Sequence, residues 1–143
     1  MDTLIQQQTA ARATELPGAE LVHPFGPDAD VYKVRGKVFM IQMLVKGEPL
    51  VVLKATPEDS TTLRTGFAGI SPGYHMNKKH WITLHPDCDL GQQLIEDLVT
   101  DSYLLVIEHS VPKSRWPVDP HTFGQQHQQD QQHQQDQQHQ QDQ

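Results

Sequence analysis

Nine consecutive residues, Lys37-Val38-Phe39-Met40-Ile41-Gln42-Met43-Leu44-Val45, constrain this chain more than any other segment. Phe39, Ile41, Met43 and Val45 occupy one parity of an extended backbone, and Val38, Met40 and Leu44 the other. A strand that is apolar on both sides belongs inside a sheet, and either both faces are covered or one presents an apolar patch. Its neighbours follow directly. Val31-Tyr32-Lys33-Val34 precedes it across Arg35-Gly36, where the glycine can supply the positive φ of a tight turn. Leu50-Val51-Val52-Leu53-Lys54 follows it across Lys46-Gly47-Glu48-Pro49. The pattern predicts a meander of three antiparallel strands.

Helical segments flank this meander. Thr3 and Gln6 have capping-box spacing, Leu4, Ile5, Gln8, Ala11 and Arg12 follow at helical intervals, and Pro17-Gly18 stops the run. Thr56-Pro57-Glu58-Asp59 is the clearest helix start: a hydroxyl cap, a proline at the first helical position, then two acids at the positive dipole end. That helix carries Leu63 and Phe67 on one side and breaks around Gly66–Gly69. Residues 70–86 read as a loop and a second hairpin, with His80-Trp81-Ile82-Thr83-Leu84 as the best strand. Asp89 and Gln92 then cap a helix with the apolar stripe Leu90, Leu94, Ile95, Leu98 and Val99. Thr100-Asp101-Ser102 can interrupt or re-cap it, before a last helix through Tyr103, Leu104, Val106 and Ile107 that ends at Pro112. The expected class is α+β, in the order α-β-β-β-α-β-β-α-α.

Composition bounds the rest. The last 19 of 143 residues, Gln125–Gln143, are three Gln-Gln-His-Gln-Gln-Asp repeats plus a glutamine, which leaves 143 − 19 = 124 residues for one domain. With no apolar residue the repeat cannot offset the entropy of ordering, so disorder is expected at 125–143. A proline-containing extension is expected at 112–124, with Trp116, Val118 and Phe123 able to tack it onto a domain spanning 1–111. One cysteine, Cys88, rules out a disulfide framework and fits a reducing compartment. The chain has no run of about 18 apolar residues and no basic, apolar leader, so a cytoplasmic protein without membrane association is expected. Eleven basic against 18 acidic residues give a net charge of −7, so nucleic-acid binding needs a local basic patch.

Candidate chemistry is sparse. His75, His80, His85, Asp87, Cys88 and Asp89 supply donors without the paired spacing of zinc sites, and neither a metal nor another cofactor is expected. Ser102 beside Asp101 reads as a helix cap, no G-x-S-x-G nucleophile elbow is expected, and Gly66-Phe67-Ala68-Gly69 lacks the Lys-Ser/Thr of a phosphate loop. The expectation is therefore a protein that is not an enzyme. The densest polar stretch is Tyr74-His75-Met76-Asn77-Lys78-Lys79-His80-Trp81, a lysine pair with aromatic neighbours. Lys33, Arg35 and Lys37 form a second basic tip.

Taken in order, these phrases resemble the MmcQ/YjbR family. They are Pro17-Gly18-Ala19-Glu20, Tyr32–Phe39, Leu53-Lys54-Ala55-Thr56-Pro57-Glu58, Tyr74–Thr83 and Asp101-Ser102-Tyr103, and the likeness spans roughly Leu4–Glu108. The resemblance implies an antiparallel sheet with helices packed on one face, as in the frataxin/CyaY fold. It also implies DNA binding, proposed for some members through two β-hairpin wings. Here the wings are the tips at Arg35-Gly36 and Asn77-Lys78-Lys79. The likeness puts Lys54, His75, Asn77, Lys78, His80, Trp81 and Tyr103 at family-typical positions. Asp2, Glu15 and Glu20 are too sparse for the acidic iron-binding ridge of frataxins.

Two functional expectations result. The first is a non-enzymatic DNA-binding domain using Lys33, Arg35, Lys37, Tyr74, Asn77, Lys78, Lys79 and Trp81. The second is a protein- or small-ligand-binding domain, using the sheet face at Met40, Gln42 and Leu44 together with Lys54, His75, His80, Trp81 and Tyr103.

Overall fold

Strand alternation and two left-handed turns shape the scaffold. The computed structural model describes residues 4–123. Its strands are β1 (Ala19–Val22), β2 (Ala29–Val34), β3 (Lys37–Val45), β4 (Glu48–Lys54), β5 (Ile70–Pro72) and β6 (Trp81–Leu84). They form one antiparallel sheet in the order β1-β2-β3-β4-β6-β5. Arg35-Gly36 and Lys46-Gly47 each place both residues at positive φ (50° and 81°, 52° and 81°), the pattern of a two-residue hairpin turn that matches strand twist.

The helices are α1 (Leu4–Glu15), α2 (Pro57–Gly66) and α3 (Gln92–Ser110), followed by a 3₁₀ turn at Lys113–Arg115. They pack on one face of the sheet, giving the expected α+β architecture. The core joins Ile5 and Ala13 of α1 and Ile95, Val99, Tyr103 and Ile107 of α3 to Tyr32, Met40, Val51, Leu53, Ile82 and Leu84. Trp116, Val118 and Phe123 pack against the same core from the C-terminal segment. α2 starts as its sequence dictates, with the Thr56 hydroxyl accepting from the Asp59 N–H.

Among the described residues no helix covers the opposite face, yet Val31, Ile41 and Val52 are buried there. Val22, Val38 and Met43 surround them, and Met76 and Trp81 fold over from the β5–β6 loop and its end. Both faces of β3 are thus covered, one by helices and one by the sheet's own loop.

Three expectations are corrected. A fourth meander strand, β1, precedes the predicted three; its four residues are too few and too exposed to print an alternation. The two C-terminal helices are a single one, α3, of 19 residues. Thr100 bonds the Glu96 carbonyl one turn back, and Ser102 bonds the sheet, so neither hydroxyl caps or breaks the helix. The residue capping α3 is Gly91, without a side-chain hydrogen bond, rather than Asp89.

Gln6 reaches across to the sheet: its Nε2 donates to the Met43 and Leu50 carbonyls (both 3.4 Å), while Gln42 Nε2 donates to the Gln6 carbonyl and the Thr9 hydroxyl (both 2.7 Å). This buried polar network locks α1 to the end of β3. Thr3 and the Gln/His/Asp repeat lie outside the described residues. Among the described residues, no helix is long and apolar enough to cross a membrane.

Candidate functional site

Register puts both basic tips at one end of the sheet. Val34 pairs with Lys37 across the Arg35-Gly36 turn, Met40 pairs with Leu53, and Lys54 pairs with Trp81 where the β5–β6 loop ends. That loop is held by its own hydrogen bonds. Gly73 N–H donates to the Trp81 carbonyl (2.8 Å), Tyr74 N–H to the Thr83 hydroxyl (2.9 Å), and Lys79 N–H to Asn77 Oδ1 (2.9 Å). Asn77 therefore shapes the turn, and Lys78 and Lys79 project from it, exposed. His75, at φ 58°, sets its ring 4.1 Å from that of Tyr74. His80 is exposed, and its carbonyl accepts from the Ala55 N–H (2.9 Å).

Arg35, although exposed, folds back along the surface toward the C-terminal segment. Its Nε donates to the Arg115 carbonyl at 3.0 Å, which brings the Lys113–Arg115 turn to the same end of the molecule. Lys33, Arg35, Lys37, Lys54, Lys78, Lys79, Lys113 and Arg115 thus gather there, eight of the chain's 11 basic residues. Among the described residues, the one ion pair that a Lys or Arg makes is Arg12–Glu15, away from this group (3.1 Å).

The ligand-binding set divides. Lys54 sets its Nζ 5.9 Å from the centre of the half-buried Trp81 ring, a cation–π pair on the accessible edge of this end. Tyr103 does not join them. Its ring is fully buried edge-on to Phe39 (5.4 Å between centres), its hydroxyl donates to the Pro17 carbonyl, and burial pushes its pKa up to about 12. Tyr103 is a core strut. Met40 and Gln42 are also buried beneath the helices, leaving only Leu44 of the proposed open face exposed.

The expectation that the chain has no G-x-S-x-G motif is corrected. Gly69-Ile70-Ser71-Pro72-Gly73 spells G-x-S-x-G, and Ser71 Oγ lies 2.8 Å from His85 Nε2, whose Nδ1 lies 2.7 Å from Glu48 Oε1. The order of contacts is that of a serine-hydrolase triad. The context is not. Ser71 sits on the edge strand β5 instead of a strand-to-helix turn, and the next residue, whose N–H helps form the oxyanion hole in such elbows, is Pro72. The relay ties β5, β6 and the start of β4 together.

Cys88 stands near His85 without bonding its ring; burial first, then the negative charge of Asp87, pushes its thiol pKa up, away from the reactive thiolate. Among the described residues no three His, Cys, Asp or Glu side chains converge as a metal site would require.

A cleft of about 220 Å³ opens beside Lys54, between α2 and α3, with Asp59 and Asp101 on its walls. Asp101 keeps a side open to solvent, but burial first, then repulsion from Asp97 and Asp59, raises its pKa to about 6. Its charge offered no sequence signal, because the cleft exists only once α2 docks beside α3.

Comparison with known proteins places this arrangement. The YjbR family model matches residues 14–105. The uncharacterised protein YbdF of Escherichia coli O157:H7 is 41% identical over 121 residues, 84% of this chain and 99% of that protein. The uncharacterised protein YjbR of Escherichia coli strain K12 is 36% identical over 87 residues, 61% of this chain and 74% of its own length. Among solved structures, Deinococcus radiodurans DR2400 superposes with a TM-score of 0.70 at 30% identity, covering 80% of this chain and 86% of that one. A Pseudomonas syringae protein gives a TM-score of 0.63 at 30% identity over 73% of this chain and 98% of that one. The chain belongs to the YjbR family.

Proposed function

We propose that this protein is a non-enzymatic module that grips the phosphate backbone of duplex DNA with the basic end of its sheet. The observation that carries the reading is the gathering of eight cations at that end, none of them in an ion pair within 4.0 Å among the described residues, on a chain whose net charge is −7. The exposed Lys37 tip and the Lys78-Lys79 tip stand at the same end of the sheet, which supports both touching phosphates of one duplex. Arg35, bonded to the Arg115 carbonyl, braces the first tip instead of contacting DNA.

Neutralising about three or four phosphates makes binding weak, with a log–log salt slope of about −3. The acidic remainder of the molecule adds repulsion. Sequence-specific contacts are not part of this reading, since it assigns the cations to phosphates.

The test is anisotropy of a labelled duplex at low and at moderate salt, with the wild-type chain and with Lys78→Glu/Lys79→Glu. Binding at low salt that collapses in the double variant supports the reading; no binding at low salt ends it. The ligand-binding alternative retains one favourable observation, the accessible Lys54–Trp81 pair beside a cleft.

A further inference from the structure

Four residues of α3, Leu94, Leu98, Asp101 and Leu105, follow intervals of four, three and four, which puts them on one stripe of the helix. The stripe forms one wall of the cleft beside Lys54, and Leu63 and Asp59 of α2 form the other. The floor is therefore aliphatic and the rim is charged. Among the described residues neither Asp59, Asp101 nor Lys54 makes an ion pair within 4.0 Å, although all three line the same space. Lys54 is held toward the Trp81 ring instead. Two solvent-facing carboxylates thus share a leucine-lined cleft with a single lysine that pairs with neither of them.

We propose that this cleft binds a small aliphatic amine, its alkyl chain against Leu63, Leu94 and Leu98 and its ammonium between Asp59 and Asp101. The inference goes beyond the DNA reading and uses a different surface. Charge complementarity selects a cation: two acids face the cleft against one lysine, and Asp97 adds a third negative charge next to Asp101. The volume selects its size. About 220 Å³ holds roughly seven waters at about 30 Å³ each, which is below the range of drug-sized pockets and suits a short chain.

The acid's elevated pKa fits the same picture, because a group that resists ionising alone gains most from a bound cation. The groups that set this titration are Asp101 and Asp97 on α3, Asp59 on α2 and Lys54 on β4. Binding should strengthen as pH rises from about 5 to about 7, while Asp101 ionises.

The experiment titrates the full chain by amide NMR with pentylamine, pentanol and pentanoate, each probe at pH 5 and pH 7. Pentylamine at pH 7 should shift the signals of Leu94–Leu105, Lys54 and Ala55, and should bind about tenfold tighter than pentanol. Asp101→Asn and Asp59→Asn should each remove most of that advantage and leave pentanol unaffected. Lys78→Glu/Lys79→Glu should bind pentylamine normally, which separates this site from the DNA reading. Pentanoate binding as well as pentylamine would assign the cleft to anions through Lys54 and overturn the proposal. So would an Asp101→Asn variant that keeps full amine affinity, or the absence of shifts in the millimolar range.

Discussion

The hydroxyl of Ser102 accepts the backbone N–H of Lys54 at 2.8 Å while donating to the Phe39 carbonyl at 2.6 Å. One buried side chain on α3 therefore satisfies two strands, and it holds the residue that carries the cation over Trp81. Ser102→Ala leaves both a buried N–H and a buried C=O without partners, so it should destabilise the fold by about 2–4 kcal/mol. Urea unfolding monitored by tryptophan fluorescence checks this, with an unchanged m-value marking a loss of stability rather than a different unfolded state. A loss below about 0.5 kcal/mol would mean that the two strands do not depend on this contact.

How far the sequence speaks depends on range. Local chemistry is legible: Thr56 caps α2, Arg35-Gly36 and Lys46-Gly47 turn, and the alternation of β3 predicts a strand covered on both sides. What fails is chemistry decided by a distant partner. Thr100 and Ser102 look like helix breakers because hydroxyls compete with the helix locally, and only the Arg12 and Phe39 partners, 88 and 63 residues away, reverse that. Arg35 reads as a free cation until the Arg115 carbonyl docks against it. Tyr103 reads as a ligand residue, yet its ring fills the core. The common end of Lys37 and Lys78 follows from strand register, which the meander fixes for β2–β4 but not for β6.

Gly69 is tested by what a methyl group would meet. A Cβ there would lie 2.3 Å from Cys88 Cα and 2.5 Å from its Cβ, a clash with backbone that no rotamer relieves. Gly69→Ala should therefore cost about 2 kcal/mol or more, through forced separation of β5 from the 85–88 turn. Gly66→Ala, with nothing within 4 Å, is the control and should be neutral or stabilising by about 0.5 kcal/mol. Thermal melts of the two variants side by side give the comparison.

Ser71 supplies a prediction against appearances. Its 2.8 Å contact with His85 polarises the hydroxyl, but Pro72 has no N–H to offer a developing oxyanion, so acylation has no stabilised intermediate. A fluorophosphonate probe should leave Ser71 unmodified, as read by intact mass, and Ser71→Ala should not alter any background hydrolysis of p-nitrophenyl acetate. Stoichiometric labelling lost in His85→Ala would establish a working nucleophile and reverse the non-enzymatic reading.

Asp101 makes stability depend on pH in an unusual direction for a carboxylate. Its pKa is raised from about 3.8 in the unfolded chain to about 6 in the folded one, so the folded state holds this proton more tightly. Below about pH 3.8 the group is neutral in both states and costs nothing. The penalty accumulates as pH rises from about 4 to about 6, and is complete above that. Because one side of Asp101 meets solvent, the full shift overstates the cost, and about 1 kcal/mol is a reasonable expectation. Asp101→Asn keeps the shape and removes the charge, so it should raise stability by that amount at pH 7 and leave it unchanged at pH 3.5. Urea titrations of both proteins at the two pH values test this, and an equal effect at both would mean that Asp101 acts through something other than its charge.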